Sequence, residues 1–451
     1  MSAQTGAEQK IPGWKRWYRW YAIMPTVVIN CWGGYGMFYT SSGPFVMEWV
    51  KRFGVTRAVA TTPYSVGNLF QVFGPLLGGF MDRYGQRKAY IVSLIAMMIG
   101  TLLLAFVSQD TFWLAIVGYI LLCAFGLTIP TYPGATKTIN FWFLKRRSFA
   151  VGINTLITGT VYFSAAFQGA FIIAYGLAGG AFYLFGLGVI MLLLSIFVLR
   201  DKASDMGVGL DGAPLPAKGT ATDGGQKEPV RLATRKDKVV AQLTVPQVLR
   251  TRALWLVSLS SGFVVMIANA YIVGNYIPFL RGLGMDPVAA GVIWGFMGFC
   301  GWPARFIWGW LIDYFGRGTE QWLVVLDCVL LGLGCLGLFF VKGTQDIFWV
   351  WWWTVLWGLG WGGNMTAIFS LVGTYFGPAP YGSTYGIRCV FIGIAGFIGP
   401  IMGGWIFDIT GSYANAFLVS IVLCFIGAIL MVFCTPPRIG TDGKLMVKAK
   451  A

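Results

Sequence analysis

Runs of about 20 apolar residues recur along nearly the whole 451-residue chain. A helix of that length crosses a hydrocarbon core of roughly 30 Å. Such segments must satisfy their backbone polar groups internally once water is excluded, and helices do so. Composition agrees. Hydrophobic residues make up 57% of the chain and charged residues 11%, against about a quarter charged in a soluble domain. In water this chain would expose large apolar patches and aggregate. The pattern predicts an all-α membrane protein with twelve transmembrane helices, at roughly 18–42, 57–81, 89–108, 113–139, 148–174, 179–199, 253–279, 288–312, 321–341, 347–373, 382–407 and 413–434. The first run follows Trp14, Lys15, Arg16 and Trp17 and has no small-residue cleavage site. It reads as a retained helix, not a signal peptide.

The net charge of +16 is sorted by loop. Lysines and arginines favour the termini and the even-numbered loops over the opposite side by about five to one. Leaving out the long 200–252 segment, the ratio is still about three to one. Such sorting predicts both termini on the cytoplasmic side of a cytoplasmic (inner) membrane. It also argues for the lipid bilayer, and against nucleic acid, as the reason for the positive charge. The expected organisation is a cytoplasmic N-terminus (1–17), a six-helix half (18–199), a cytoplasmic linker (200–252), a second six-helix half (253–434) and a cytoplasmic tail (435–451). Residues 201–240, rich in Gly, Ala, Lys and Asp, read as a flexible linker. Thr244 and Gln247 flank a Pro in capping-box spacing, so a short helix is expected there.

The two halves repeat. Gly78-Gly79-Phe80-Met81-Asp82-Arg83-Tyr84-Gly85 ends helix two, and Gly309 to Gly316, with Asp313 inside, ends helix eight about 231 residues later. Glycines allow close approach and a tight turn. An acid at such a turn can accept from a neighbouring helix N-terminus. With Gln86, Arg87 and Lys88, the first copy resembles the signature of the major facilitator superfamily. That resemblance implies a gating role for Gly78, Asp82, Arg83, Gly85, Arg87, Lys88 and Asp313. The Asn140–Ile153 stretch, the 376–387 junction, the Arg305-bearing helix eight and the segment from Asn275 to Gly284 resemble one group within it, the oxalate:formate antiporters and monocarboxylate transporters. This implies transport of small carboxylates, by anion exchange or by proton symport. The sequence also departs from that group. Ile392 stands where the antiporters have a helix-eleven lysine, and Gly301 and Thr40 stand where monocarboxylate transporters have an Asp and a Lys.

Charge inside a spanning helix is costly and marks function. Arg305 and Arg388 are expected at similar depth, and guanidinium binds carboxylate bidentately while keeping its charge. They are the candidate anchors, Arg305 the main one and Arg388 the second. Tyr35, Tyr39, Tyr132, Tyr162, Asn275, Tyr276, Trp361 and Asn364 lie near mid-helix and complete the candidate binding set. Asp327 is the clear intramembrane carboxylate, a partner for an arginine or a coupling site. Lys137, near a helix end, is expected to snorkel to the interface. The eight cysteines lack metal or disulfide spacing, and there is no histidine. No metal, cofactor or enzymatic triad is expected, and a monomer suffices for this architecture. The expectation is a secondary transporter exchanging small organic-acid anions, with proton–monocarboxylate symport as the alternative and a non-transporting sensor behind it.

Overall fold

The computed structural model describes residues 12–214, 231–232, 238–239, 243–268, 279–280, 282–285, 287–316, 318–410 and 413–437. It is built of helices, labelled here in chain order. The first half holds α1 (13–53), α2 (57–84), α3 (Gln86–Ala105), α4 (113–142), α5 (147–175) and α6 (177–197). The second holds α7 (Arg252–Ala268), α8 (Pro287–Phe315), α9 (Thr319–Phe339), α10 (Ile347–Phe376), α11 (Tyr381–Thr410) and α12 (Ala414–Val432).

The bundle is inverted relative to a soluble protein. Large apolar side chains such as Met47, Ile173 and Phe197 are exposed on its perimeter, while Thr136, Asn154, Thr155, Arg305, Asp327, Thr366 and Arg388 are buried inside it. Such a surface suits lipid. Among the described residues, six helical stretches are long and apolar enough to cross a membrane by length and composition, one of them, Phe167–Phe197, running across the bend at Gly176. Several of the other expected spans are interrupted. α2 tightens into a 3₁₀ turn over Phe70–Phe73, α4 opens into turns at 127–131, and α5 tightens at Gly159–Val161. Irregular backbone at membrane depth is tolerated where it is buried in protein or lines a cavity.

Two expectations need correcting. α1 is longer than the expected 18–42 and runs from 13 to 53 with two wider, π-type turns at Arg19–Ile23 and Gly36–Thr40. The start of the linker is also not loose. Residues 201–214 form two short 3₁₀ turns and bury Ala203 and Val208. Asp201 accepts from the Arg87 amide at 2.6 Å, and Asp211 accepts from the Leu144 and Lys145 amides at 3.3 and 2.9 Å. These carboxylates take up amides that the start of α3 and the 4–5 loop leave unpaired, so a polar stretch docks without an apolar core of its own. The expected short helix is present at Val245–Leu249, with the Thr244 amide donating to Gln247 Oε1 at 2.9 Å.

Candidate functional site

A small cavity lies between the halves. Tyr35 and Tyr39 of α1, Gln71 of α2, Thr131 and Tyr132 of α4, Val265 of α7, Trp361, Met365 and Phe369 of α10, and Tyr385, Arg388 and Ile392 of α11 line it. Its volume is about 30 Å³. That is far below the roughly 300–1,000 Å³ of sites for drug-sized ligands, so in this conformation it suits a ligand of a few heavy atoms. The aromatic rings pack against one another. Tyr35 stacks on Tyr39 at 4.4 Å and meets Tyr132 edge-on at 5.1 Å, while Phe369 stacks on Tyr132 at 4.6 Å and on Tyr385 at 5.4 Å.

Arg388 is the cation of this cavity. It is 2% exposed. Its guanidinium lies over the Tyr385 and Phe369 rings, 5.0 and 5.6 Å from their centroids. Nε donates to Ser261 Oγ on α7 at 2.8 Å, and Nη1 has no protein partner. No carboxylate among the described residues lies within ion-pair distance of it. A buried, unneutralised cation costs several kcal/mol, and a desolvated cation–π contact recovers about 2 kcal/mol of that. The cavity is therefore electrostatically prepared for an anion.

Arg305 sits elsewhere. It is 5% exposed and lies on α8, where Nη1 donates to the Thr155 carbonyl at 2.5 Å and Nε is unpartnered. Thr155 lies in the last turn before the 3₁₀ segment of α5, and its carbonyl also accepts from the Gly159 amide. The missing side chain of Gly159 makes room for the guanidinium. Arg305 does not line the cavity that holds Arg388, so the two arginines are not brought into one site here. Asn364 is buried on α10 but also outside the lining. Asn275 and Tyr276 lie outside the described residues, as does the side chain of Tyr162. Sequence reasoning missed Gln71, Phe369, Tyr385 and Ser261. Tyr385 was legible, because it stands three residues before Arg388 and shares its helix face.

The expected arginine partner of Asp327 is replaced by a tryptophan. Asp327 is fully buried and its Oδ1 accepts from Trp308 Nε1 at 3.0 Å, while Oδ2 has no partner. Removing the donor leaves a buried acceptor unsatisfied. Trp308→Phe is therefore expected to destabilise the fold by about 1–3 kcal/mol, visible as a lower melting temperature in detergent. Replacing Asp327 by Leu in the same background should recover part of that loss.

At the end of the bundle where α1 begins and α12 finishes, two matching clamps join the halves. Asp82 at the end of α2 accepts from the Gly382 and Ser383 amides at 2.9 and 2.7 Å and from Ser383 Oγ at 2.6 Å, at the N-terminus of α11. Lys137 Nζ pairs with Asp82 Oδ1 at 2.5 Å and donates to the Met81 carbonyl. This corrects the snorkelling expectation: Lys137 is 3% exposed and held inside. Asp313 at the end of α8 accepts in the same way from the Ser148 and Phe149 amides at 3.1 and 2.7 Å, at the N-terminus of α5. Both carboxylates cap a helix N-terminus of the opposite half, where the macrodipole favours negative charge. The helices cross closely there. A methyl group added at Gly78 would overlap the Gly382 carbonyl, and one at Gly309 would crowd Ser148.

Between the clamps and the cavity, hydroxyl pairs join α5 to α10. Ser148 Oγ meets Ser370 Oγ at 2.8 Å, Thr155 Oγ1 meets Thr366 Oγ1 at 2.8 Å, and Arg147 donates to Thr374 Oγ1 at 2.5 Å. Of the other signature residues, Gly85 turns the chain with φ +90° against the Asp201 carboxylate. Arg87 Nη2 donates to the Ile196 carbonyl, Arg83 lies 5.4 Å from the Tyr84 ring, and Lys88 is exposed.

The chain is similar to known transporters along most of its length. It is 25% identical to the oxalate:formate antiporter of Oxalobacter formigenes over 99% of this chain and 97% of that one. It is 26% identical to monocarboxylate transporter 13 of Bos taurus over 84% of this chain and 81% of that one. Among solved structures it superposes on the E. coli fucose:proton symporter with a TM-score of 0.64 at 13% identity, covering 92% of this chain and 99% of that one. The family model for the Major Facilitator Superfamily matches residues 29–398. This chain, with its inverted polarity, its repeated Gly-Asp-Gly turns and its central cavity, belongs to the Major Facilitator Superfamily of membrane transporters.

Proposed function

We propose that this transporter moves small organic-acid anions by alternating access, in exchange mode, with Arg388 as the anchor in the central cavity. The observation that carries this reading is the buried Arg388 guanidinium, with Nη1 unpartnered, in a cavity of about 30 Å³ walled by aromatic rings. Tyr35, Tyr39, Tyr132 and Trp361 enclose the substrate and exclude water. Arg305 is a second anchor, reached when the α5–α8 contact loosens. Tyr162, Asn275, Tyr276 and Asn364 are further residues of the proposed pathway. An empty cavity with a fixed cation is expensive to occlude, and a bound anion removes that cost, which favours obligatory exchange. The names of the relatives, an oxalate:formate antiporter and a monocarboxylate transporter, support the carboxylate class.

In this reading Asp82 and Asp313 lock the clamped end, and the glycine and basic residues around Asp82 set its geometry. That end faces the cytoplasm and carries both termini, and a monomer contains the whole pathway. A second reading, proton symport, draws on Asp327, a fully buried carboxylate with one oxygen unpartnered.

A thermal-shift series on the purified protein tests the substrate class. Formate, acetate, lactate and oxalate should raise the melting temperature, and their neutral amides should not. Equal stabilisation by acids and amides contradicts the reading. Arg305→Lys keeps charge but loses the bidentate fork. Its uptake in proteoliposomes should fall at least about tenfold, a loss of roughly 1.4 kcal/mol, whereas unchanged uptake removes Arg305 from the pathway.

A further inference from the structure

We infer that Ser261 is a positioning residue that sets which edge of the Arg388 guanidinium is offered to the substrate; this rests on Arg388 being the anchor. Ser261 lies in the middle of α7 and is 2% exposed. Its Oγ accepts from Arg388 Nε at 2.8 Å. A guanidinium has two edges able to hold a carboxylate side by side. One joins Nε to a terminal nitrogen, and the other joins the two terminal nitrogens. Ser261 occupies Nε, so the edge between the terminal nitrogens remains for the ligand, and Nη1 on that edge is buried without a partner. The Tyr385 and Phe369 rings hold the plane from the face.

The chemistry of the holder matters. A carboxylate at position 261 would neutralise Arg388 and compete with the substrate, as buried ion pairs do. An apolar residue would leave Nε–H unsatisfied and the side chain free to turn. A hydroxyl fixes the orientation while leaving the full positive charge to the ligand. Four rotatable bonds of arginine are thus restrained before the anion arrives, which lowers the cost of binding. The site selects a carboxylate that approaches end-on along the guanidinium axis.

The test is counterflow in proteoliposomes with labelled formate, lactate and oxalate, comparing Ser261→Ala, Ser261→Cys, Ser261→Thr and Arg388→Gln. Ser261→Ala should raise KM about tenfold with kcat within about twofold, and Ser261→Cys, a weak acceptor of similar size, should fall between. Ser261→Thr keeps the hydroxyl and should restore KM to within about threefold. If Ser261→Ala leaves KM unchanged while Arg388→Gln is inactive, Ser261 has no positioning role and the anchor reading stands. The inference also fails if Ser261→Thr is as impaired as Ser261→Ala at equal melting temperature. If Arg388→Gln transports like the unsubstituted protein, the anchor itself is wrong, and the inference falls with it.

Discussion

Arg388→Gln is expected to lower kcat/KM for carboxylate exchange by about 30-fold to several thousand-fold. Truncating one partner of a buried, hydrogen-bonded charge pair costs about 2–5 kcal/mol, and each 1.4 kcal/mol is tenfold. The substitution preserves much of the side-chain volume and can still donate to Ser261, so the fold should persist. Arg388→Lys should be intermediate, because an ammonium keeps the charge without the planar fork. The measurement is initial-rate uptake of labelled formate, lactate and oxalate, with reconstituted protein normalised by quantity. The melting temperature without ligand separates loss of binding from loss of folding. It should rise or stay level in Arg388→Gln, since a buried cation without a counter-charge has been removed.

Gly78→Val carries the second large effect. The α2 backbone at Gly78 rests against the Gly382 carbonyl of α11, with no space for a side chain. A backbone carbonyl has little freedom to move aside, so the added methyls should hold the clamped end apart. Overpacking of this kind costs about 1–3 kcal/mol or more. It also breaks the Asp82 bonds to the Gly382 and Ser383 amides, each charge-assisted and about 1.5–3 kcal/mol. Transport should fall close to background. Amide hydrogen exchange provides the structural readout. Gly382 and Ser383 should exchange at least about tenfold faster, and Ser148 and Phe149, capped by Asp313 on the other seam, should accelerate with them. Joint loosening follows if the halves rock as bodies. Acceleration at α11 alone would mean that the two seams open independently.

The membrane architecture was legible in the sequence because the period and length of apolar runs report directly on what must be excluded from water. The clamps were legible because a Gly-Asp-Gly turn repeated about 231 residues apart places two acids at equivalent helix ends. Partners on other helices were not legible. A lysine near a helix end looks the same whether it reaches for headgroups or, as Lys137 does, for Asp82 on another helix. Depth along a helix put Arg305 and Arg388 at one level, but it does not fix the direction each side chain takes. Arg305 turns toward the Thr155 carbonyl and Arg388 toward Ser261 and the cavity. Phe369 and Gln71 were missed for the same reason. In a chain with 35 Phe and 20 Trp, composition cannot separate a cavity wall from a lipid-facing belt. The docking of residues 201–214 was hidden because it rests on Asp201 and Asp211 capping amides, not on apolar pattern.

Obligatory exchange is tested by efflux of labelled carboxylate from loaded proteoliposomes, with and without unlabelled carboxylate outside. Formate, lactate and oxalate serve as probes, each repeated with a protonophore. Efflux should require external carboxylate, should survive the protonophore, and should be lost in Arg388→Gln. Efflux into carboxylate-free buffer that tracks an imposed pH gradient and collapses with the protonophore would contradict exchange and indicate proton symport.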